Sequence, residues 1–236
     1  MAKHIQELEA VCGFRQGVGA LDGCHFPILP PKEHATDYHN YKGWHSIVLL
    51  ALVDHKYRFR YVNVGAPGRS HDAHMFGLSK LSKIIDSPLF ETPLATIGSI
   101  AVPPIILCDQ AFPLARNLMK PFGHRGAMND AEKKFNYHLC AARRVVENAF
   151  GRLKARFRFT AKRMECRVDN VRLAIRACCV LSNICEHFND SVHPQWLSEV
   201  QQCDAEFPQT SRATEAQVGN GATIRGALVQ YYSQRS

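Results

Sequence analysis

A chain of 236 residues with a formal charge of +8 and a pI near 9.1 is long enough for one well-buried domain with appendages, and its basicity calls for a polyanionic partner. Hydrophobic content of 46% and charged content of 21% are ordinary for a soluble globular protein. No apolar run reaches bilayer length and the start is polar, which argues against a membrane or secretory protein and for an intracellular one. Nine cysteines at irregular spacing, with no C-x-x-C pair, favour reduced core residues over a disulfide framework or a structural zinc site; Cys178, Cys179 and Cys185 fall on the apolar side of a helical pattern.

Residues 1–16 carry a weak helical or turn signal. A first strand is expected at about 18–29, ending at Pro30-Pro31. The continuous apolar run 46–53 has strand length, Asp54-His55-Lys56 is a turn, and 57–64 alternates as an antiparallel return strand, so the three form a meander. After Gly68 comes a helix opened by Ser70 or Asp72 and carrying Met75, Phe76, Leu78, Leu81, Ile84 and Ile85. Residues 87–103 read as loop, delivering the chain to a fourth strand at Ile105. Asn129-Asp130-Ala131-Glu132 is a helix start. Beyond it Phe135, Leu139, Ala142, Val146, Phe150, Leu153 and Phe157 define a long helix with one buried stripe. Residues 159–166 form a short strand or irregular piece. A second helix follows, with Val171, Ile175, Cys178, Leu181, Ile184, Cys185 and Phe188 inward. The polar stretch 201–221 is expected to be a poorly ordered linker, and Ile224, Ala227, Leu228, Tyr231 and Tyr232 fit a last docking helix.

Three acids stand in distinctive contexts. Asp22 lies in Gly19-Ala20-Leu21-Asp22-Gly23-Cys24-His25, Asp109 ends the apolar run Ile105-Ile106-Leu107-Cys108, and Glu147 lies at the edge of the long helix's buried stripe. Taken singly, each has a plain reading: an Asp-Gly turn, an Asx turn or helix cap before Ala111, and a solvated acid among Arg143, Arg144 and Lys154. Converging at strand ends, they offer the hard oxygen ligands that Mg²⁺ prefers. Asp72 is either a helix cap or a further acidic ligand; His25, His71 and His74 do not suit a Mg²⁺ site. Between Arg143 and Arg163 stand eight Arg or Lys residues and one acid, Glu147. That is either a solvated face or a phosphate-contacting one, with Arg143, Arg144, Arg152, Lys154 and Arg156 as the candidate DNA-backbone contacts.

The blocks Gly19 to His25, Gly68-Arg69-Ser70-His71-Asp72, Leu107-Cys108-Asp109-Gln110-Ala111-Phe112-Pro113-Leu114 and Val146-Glu147-Asn148-Ala149-Phe150-Gly151-Arg152-Leu153-Lys154 resemble, in order and spacing, those of the DDE endonuclease domain of PIF/Harbinger transposases. The later Ala177-Cys178-Cys179-Val180-Leu181-Ser182-Asn183-Ile184-Cys185 block is similar too, with Ser182 where the family usually has His. The resemblance implies an α/β, RNase H-like fold with a mixed five-stranded sheet flanked by helices. It implies Asp22, Asp109 and Glu147 as the triad holding Mg²⁺ or Mn²⁺, two-metal cleavage of DNA phosphodiesters, a nuclear location with some cytoplasmic protein, and a Myb/SANT-like partner for targeting. It divides the chain into a short extension at 1–17, truncated relative to the family, a DDE domain at 18–189, and a polar tail with a C-terminal helix at 190–236. Two other readings stay open: a catalytically silent DNA-binding or scaffolding protein that keeps the fold, and an RNase H-like RNA nuclease.

Overall fold

The computed structural model describes residues 1–123, 127–209 and 213–234. In chain order the strands are β1 (Gly17–Pro27), β2 (Ser46–Val53), β3 (Phe59–Pro67), β4 (Ala95–Ile97), β5 (Ile100–Val102), β6 (Ile105–Leu107) and β7 (Leu118–Met119). The helices are α1 (Ala2–Cys12), α2 (Ala35–Tyr38), α3 (Asp72–Leu78), α4 (Lys80–Ile85), α5 (Asp130–Arg156), α6 (Val168–His187), α7 (Pro194–Glu206) and α8 (Gly221–Ser233). None of the described helices is long and apolar enough to cross a membrane.

The main sheet is five-stranded in the order β3-β2-β1-β6-β7. The β1–β2 and β2–β3 pairs are antiparallel, whereas β1–β6 and β6–β7 are parallel. That mixed order, with helices on both faces, is an RNase H-like fold. Strand β2 reads as an unbroken apolar run because both its faces are covered. Ile47, Leu49 and Ala51 join one core with α5, α6 and α8, while Val48, Leu50 and Leu52 join a second core with α3 and α4.

Strand alternation then fixes where β1 aims its side chains. Ala20, Cys24 and Phe26 belong to the α5 side, so Asp22, which shares their parity, faces α5 as well. Helix α5 begins where the sequence places it. Asn129 Oδ1 accepts from Glu132 N and Glu132 Oε2 accepts from Asn129 N, a reciprocal cap contributing about 1 kcal/mol.

Several expectations are corrected. The single helix after Gly68 is two short ones, because Ser79 leaves helical geometry and caps the second through Ser82 N. The loop at 87–103 contains the β4–β5 hairpin, and the sheet's last strand is the two-residue β7, too short to give a periodic signal. Of the two readings of residues 159–166, the irregular one holds: they contribute part of a 3₁₀ turn and a parallel bridge from Met164 to Ile28.

On α6 the buried stripe is Val171, Ile175, Cys178, Cys179 and Ser182, and Leu181, Ile184 and Phe188 are exposed. Small side chains let α6 lie close to β3, where Asn183 pairs with both backbone groups of Phe59 at 2.7 and 2.9 Å. Cys178 and Cys179 are buried and Cys185 half-buried, all reduced.

The stretch expected as linker begins inside α7, which packs Val200 and Leu197 against Ala155. Further on, Thr214 and Val218 hydrogen-bond to Gln110 and Leu114. The part of that stretch at 210–212 lies outside the described residues. Helix α8 docks as expected through Ile224, Ala227, Leu228 and Tyr232.

Candidate metal centre and its cleft

Strands β1 and β6 run side by side in the same direction, with Ala20 paired to Leu107. Two residues beyond that pairing on each strand stand Asp22 and Asp109, both with the parity that faces α5. Helix α5 crosses above them and brings Glu147 to the same place: Asp22, Asp109 and Glu147 all line one cleft of about 360 Å³. The structure therefore brings the three expected residues together.

Each strand acid uses one oxygen locally. Asp22 Oδ1 accepts from Gly23 N at 2.8 Å, and Asp109 Oδ1 accepts from Ala111 N at 2.8 Å, so of the Asx turn and helix cap left open at Asp109 the Asx turn forms, and it fixes the carboxylate. Gln110 is turned away, donating to the Pro121 carbonyl.

Arg143 stands between two members of the triad. Its Nη1 donates to Asp22 Oδ2 at 2.8 Å and its Nη2 makes a short contact with Glu147 Oε1. The oxygens of the three acids are not all within 4.8 Å of one another; among the described residues that closeness is met only by His4, Glu7 and His55.

Asp72 enters from the opposite side of the sheet. It is not the cap of α3: that position is His71, and no side chain caps the helix. Asp72 is 7% exposed, and its Oδ1 is buried without a hydrogen-bond partner. A β-carbon added to Gly23 would lie 2.3 Å from that oxygen, so the absence of a side chain next to Asp22 is what lets Asp72 reach β1.

The electrostatics are those of crowded acids. Burial, followed by the charge of Asp109, pushes the Asp22 carboxyl up to about 8, against the pull of Arg143. Burial and then Asp109 push Asp72 up to about 7. Burial works against the charge of Arg143, but Asp22, Glu147 and Asp109 together hold it above its ordinary value. Excess carboxylate, with an orphaned buried oxygen among it, is a donor set that fits a hard divalent cation.

The histidines keep apart from this set. His25 is buried against Ser46 Oγ at 2.8 Å, and burial, then Lys154, lowers it to about 4. His71 and His74 line a separate, larger cleft of about 670 Å³ that Asp72 and Arg69 share.

The basic stretch of α5 differs from its appearance in the sequence, because its acids come from other helices. Arg152 forks onto Glu186 at 2.7 and 2.8 Å, Arg156 reaches the same carboxylate at 2.5 Å, and Lys154 meets Asp204 at 2.6 Å. Arg144 alone of the five candidate phosphate contacts is exposed. Asp204 and Gln209, from the stretch expected to be linker, line the triad's cleft. Periodicity could not have found them, although Pro194 at the first turn of α7 is a legible helix start.

A mixed sheet of this order, with one acid on β1, one just past the end of the parallel β6 and one on the crossing helix, fits the architecture of a polynucleotide-cutting DDE enzyme. The chain matches the DDE superfamily endonuclease family over residues 21–183, and it belongs to that family. No curated protein and no solved structure matches it.

Proposed function

We propose that this chain is a metal-dependent DNA endonuclease of the Harbinger transposase-derived type, with Asp22, Asp109 and Glu147 as metal ligands. The observation that carries this reading is the meeting of those three carboxylates in one cleft, where Arg143 pairs with only two of them, while Asp72, with a buried unpartnered oxygen, approaches Gly23 from the other face of the sheet. Bound Mg²⁺ or Mn²⁺, as two ions in the scheme favoured here, supplies activation of the attacking water and charge stabilisation at the leaving 3′ oxygen.

The chain's own residues set up the rest. Asp22 and Asp109 are pre-oriented by Gly23 N and Ala111 N, Glu147 completes the set from α5, and Asp72 adds a fourth carboxylate through the gap at Gly23. Arg143 holds Asp22 and Glu147 in register by charge, and its guanidinium would be free to meet a phosphate if those acids held a cation instead. No protein nucleophile is required. Phosphate contacts fall to Arg144, beside the site on α5, and to Arg69 in the neighbouring larger cleft, both exposed. By the same family resemblance, targeting is assigned to a separate Myb/SANT-like partner and the site of action to the nucleus.

The test is nicking of supercoiled duplex DNA by the purified chain in Mg²⁺ or Mn²⁺. Glu147→Gln is expected to abolish nicking while leaving the melting temperature and duplex affinity close to wild type, since the amide keeps the shape and removes the charge. Retained nicking in that variant would remove Glu147 from the site. Faster cleavage of an RNA/DNA hybrid than of duplex DNA would move the assignment to an RNA nuclease. DNA binding without nicking in the wild type would favour a scaffolding role.

A further inference from the structure

A second cluster of ligating side chains lies away from the triad, where α1 packs against the turn between β2 and β3. His4 and Glu7 are three residues apart on α1 and so share a face. His55 comes from the turn, and one ligand atom from each of the three lies within 4.8 Å of the others.

The local chemistry fits a metal better than an ion pair. His4 Nε2 lies 2.7 Å from the Val18 carbonyl, which can only accept, so Nε2 carries the proton and Nδ1 keeps its lone pair. Such an outward hydrogen bond is how metal-binding imidazoles are oriented. The His55 side chain is 3% exposed, and its Nε2 stands 3.7 Å from Glu7 Oε2, beyond hydrogen-bond range. Two ligand atoms on a tetrahedral zinc, each about 2.0 Å from it, sit roughly 3.3 Å apart, so that pair is nearly at coordination spacing. The only other partner of Glu7 among the described residues is Lys56, whose Nζ is 3.9 Å away and half exposed.

The turn that carries His55 is firm. Asp54 Oδ1 accepts from Lys56 N and Arg58 N, Oδ2 binds the Arg58 guanidinium, and Tyr57 takes a left-handed φ of 58°. Helix α1 is firm as well, stopped at Gly13 with φ 69° and anchored by Ile5 and Leu8 in the two cores.

We infer that His4, Glu7 and His55 form a second metal site, of the two-histidine, one-carboxylate kind that takes Zn²⁺, with its fourth position open to water. Nitrogen ligands separate it in kind from the all-oxygen triad. It also lies apart in space: Val18, which orients His4, is four residues up β1 from Asp22, roughly 13 Å of strand. A metal there would pin α1 to the β2–β3 turn and so close the edge of the main sheet's β1–β2–β3 meander, whatever the triad does.

The test uses the whole chain, stripped of metal and kept reduced, titrated with Zn²⁺ alone. Zinc at about a hundredfold its dissociation constant should raise the melting temperature by roughly 5 °C or more. His4→Ala and Glu7→Gln should each remove most of that rise with little change in the metal-free melting temperature, because both side chains are partly exposed. Cobalt substitution should give a tetrahedral spectrum without thiolate-to-metal charge transfer, which separates this site from Cys140 and Cys166 on the surface. A zinc shift that survives both variants, a thiolate signature, or no shift at all would each overturn the inference.

Discussion

One helix carries arginines to two opposite fates. At residues 143–147 of α5 the surroundings are acidic, and Arg143 divides itself between Asp22 and Glu147 while Asp109 and Asp72 add charge it does not cancel. Two turns further on, Arg152 and Arg156 share Glu186, whose side chain is 6% exposed, and Lys154 closes on Asp204. With Asp190, whose Oδ2 stands 3.8 Å from Arg156 Nε, the second region sets three carboxylates against three cations, a charge-balanced clamp between α5, α6 and α7. The first is left with more carboxyl groups than cations at the end of two strands, so that Asp22 and Asp72 hold protons for want of one. Balanced charges hold elements together; an imbalance kept inside a cleft marks the place for an ion from outside.

The largest effect expected at the acidic end is on catalysis. Asp109→Asn should cut Mg²⁺-dependent nicking by about a hundred- to ten-thousandfold, the rate equivalent of the several kcal/mol a metal ligand supports. The metal-free protein should lose no stability, because the change removes a repelling charge; a fall in melting temperature together with the activity would turn Asp109 into a structural residue.

At the balanced end the expectation reverses. Glu186→Ala takes the shared carboxylate from two guanidinium groups, leaving Arg156, in a side chain only 6% exposed, to Asp190 and Arg152 to the Tyr57 ring, and should cost about 3 kcal/mol of stability. Nicking per folded molecule should stay as it was. Denaturant unfolding beside a specific-activity measurement reads both.

Gly23→Ala probes the gap between the two faces of the sheet. The new methyl would meet Asp72 Oδ1 and should cost about 1–3 kcal/mol, with weaker stabilisation by Mn²⁺ if Asp72 is a ligand. An Ala variant with wild-type stability and wild-type Mn²⁺ response would show that Asp72 has room to move and no part in the site.

The pH dependence follows from the same crowding. Asp22 and Asp72 titrate at about 8 and about 7 when folded, against an ordinary 3.8 in the unfolded chain. The folded protein therefore holds protons that the unfolded chain has released, and that stabilisation is present in full below the ordinary value and is lost as pH rises through 7 and 8. Metal-free melting temperatures should decline from pH 5 to 8.5, and Asp72→Asn should flatten the slope. A rising profile in that window would contradict the burial of these carboxyls.

The smallest effect belongs to the exposed cation. Arg144→Ala should weaken binding to unrelated duplexes by similar factors and reduce the salt slope by about one. Discrimination among duplexes that survives high salt would show base reading by the chain itself.

Much of this was legible in the chain. The strand-end acids were visible because Asp22 and Asp109 follow or interrupt apolar runs, and strand parity turns both toward α5 once the β1–β6 pairing is known. The stripe from Phe135 to Leu153 gave α5 its length, and Asn129 with Glu132 gave its start. What stayed hidden depends on distant partners. Nothing near Arg152 or Arg156 in sequence announces Glu186, and nothing near Lys154 announces Asp204, so a neutralised helix read as a basic face. Asp72 was ambiguous because its role is decided by the missing side chain of Gly23, some 50 residues earlier. Helix α7 was lost to its polar composition, since one buried residue, Val200, is too little to set a period.

The contrast between the two ends of α5 is tested most directly by counting bound Mn²⁺ at pH 8, through the paramagnetic signal of the free ion, in zinc-free wild type, in Asp22→Asn/Asp109→Asn and in Glu186→Gln. Wild type and Glu186→Gln should take up Mn²⁺ alike, and the double variant should lose that uptake while remaining folded. Equal Mn²⁺ binding by the double variant and the wild type would contradict a metal centre at the acidic end of the helix.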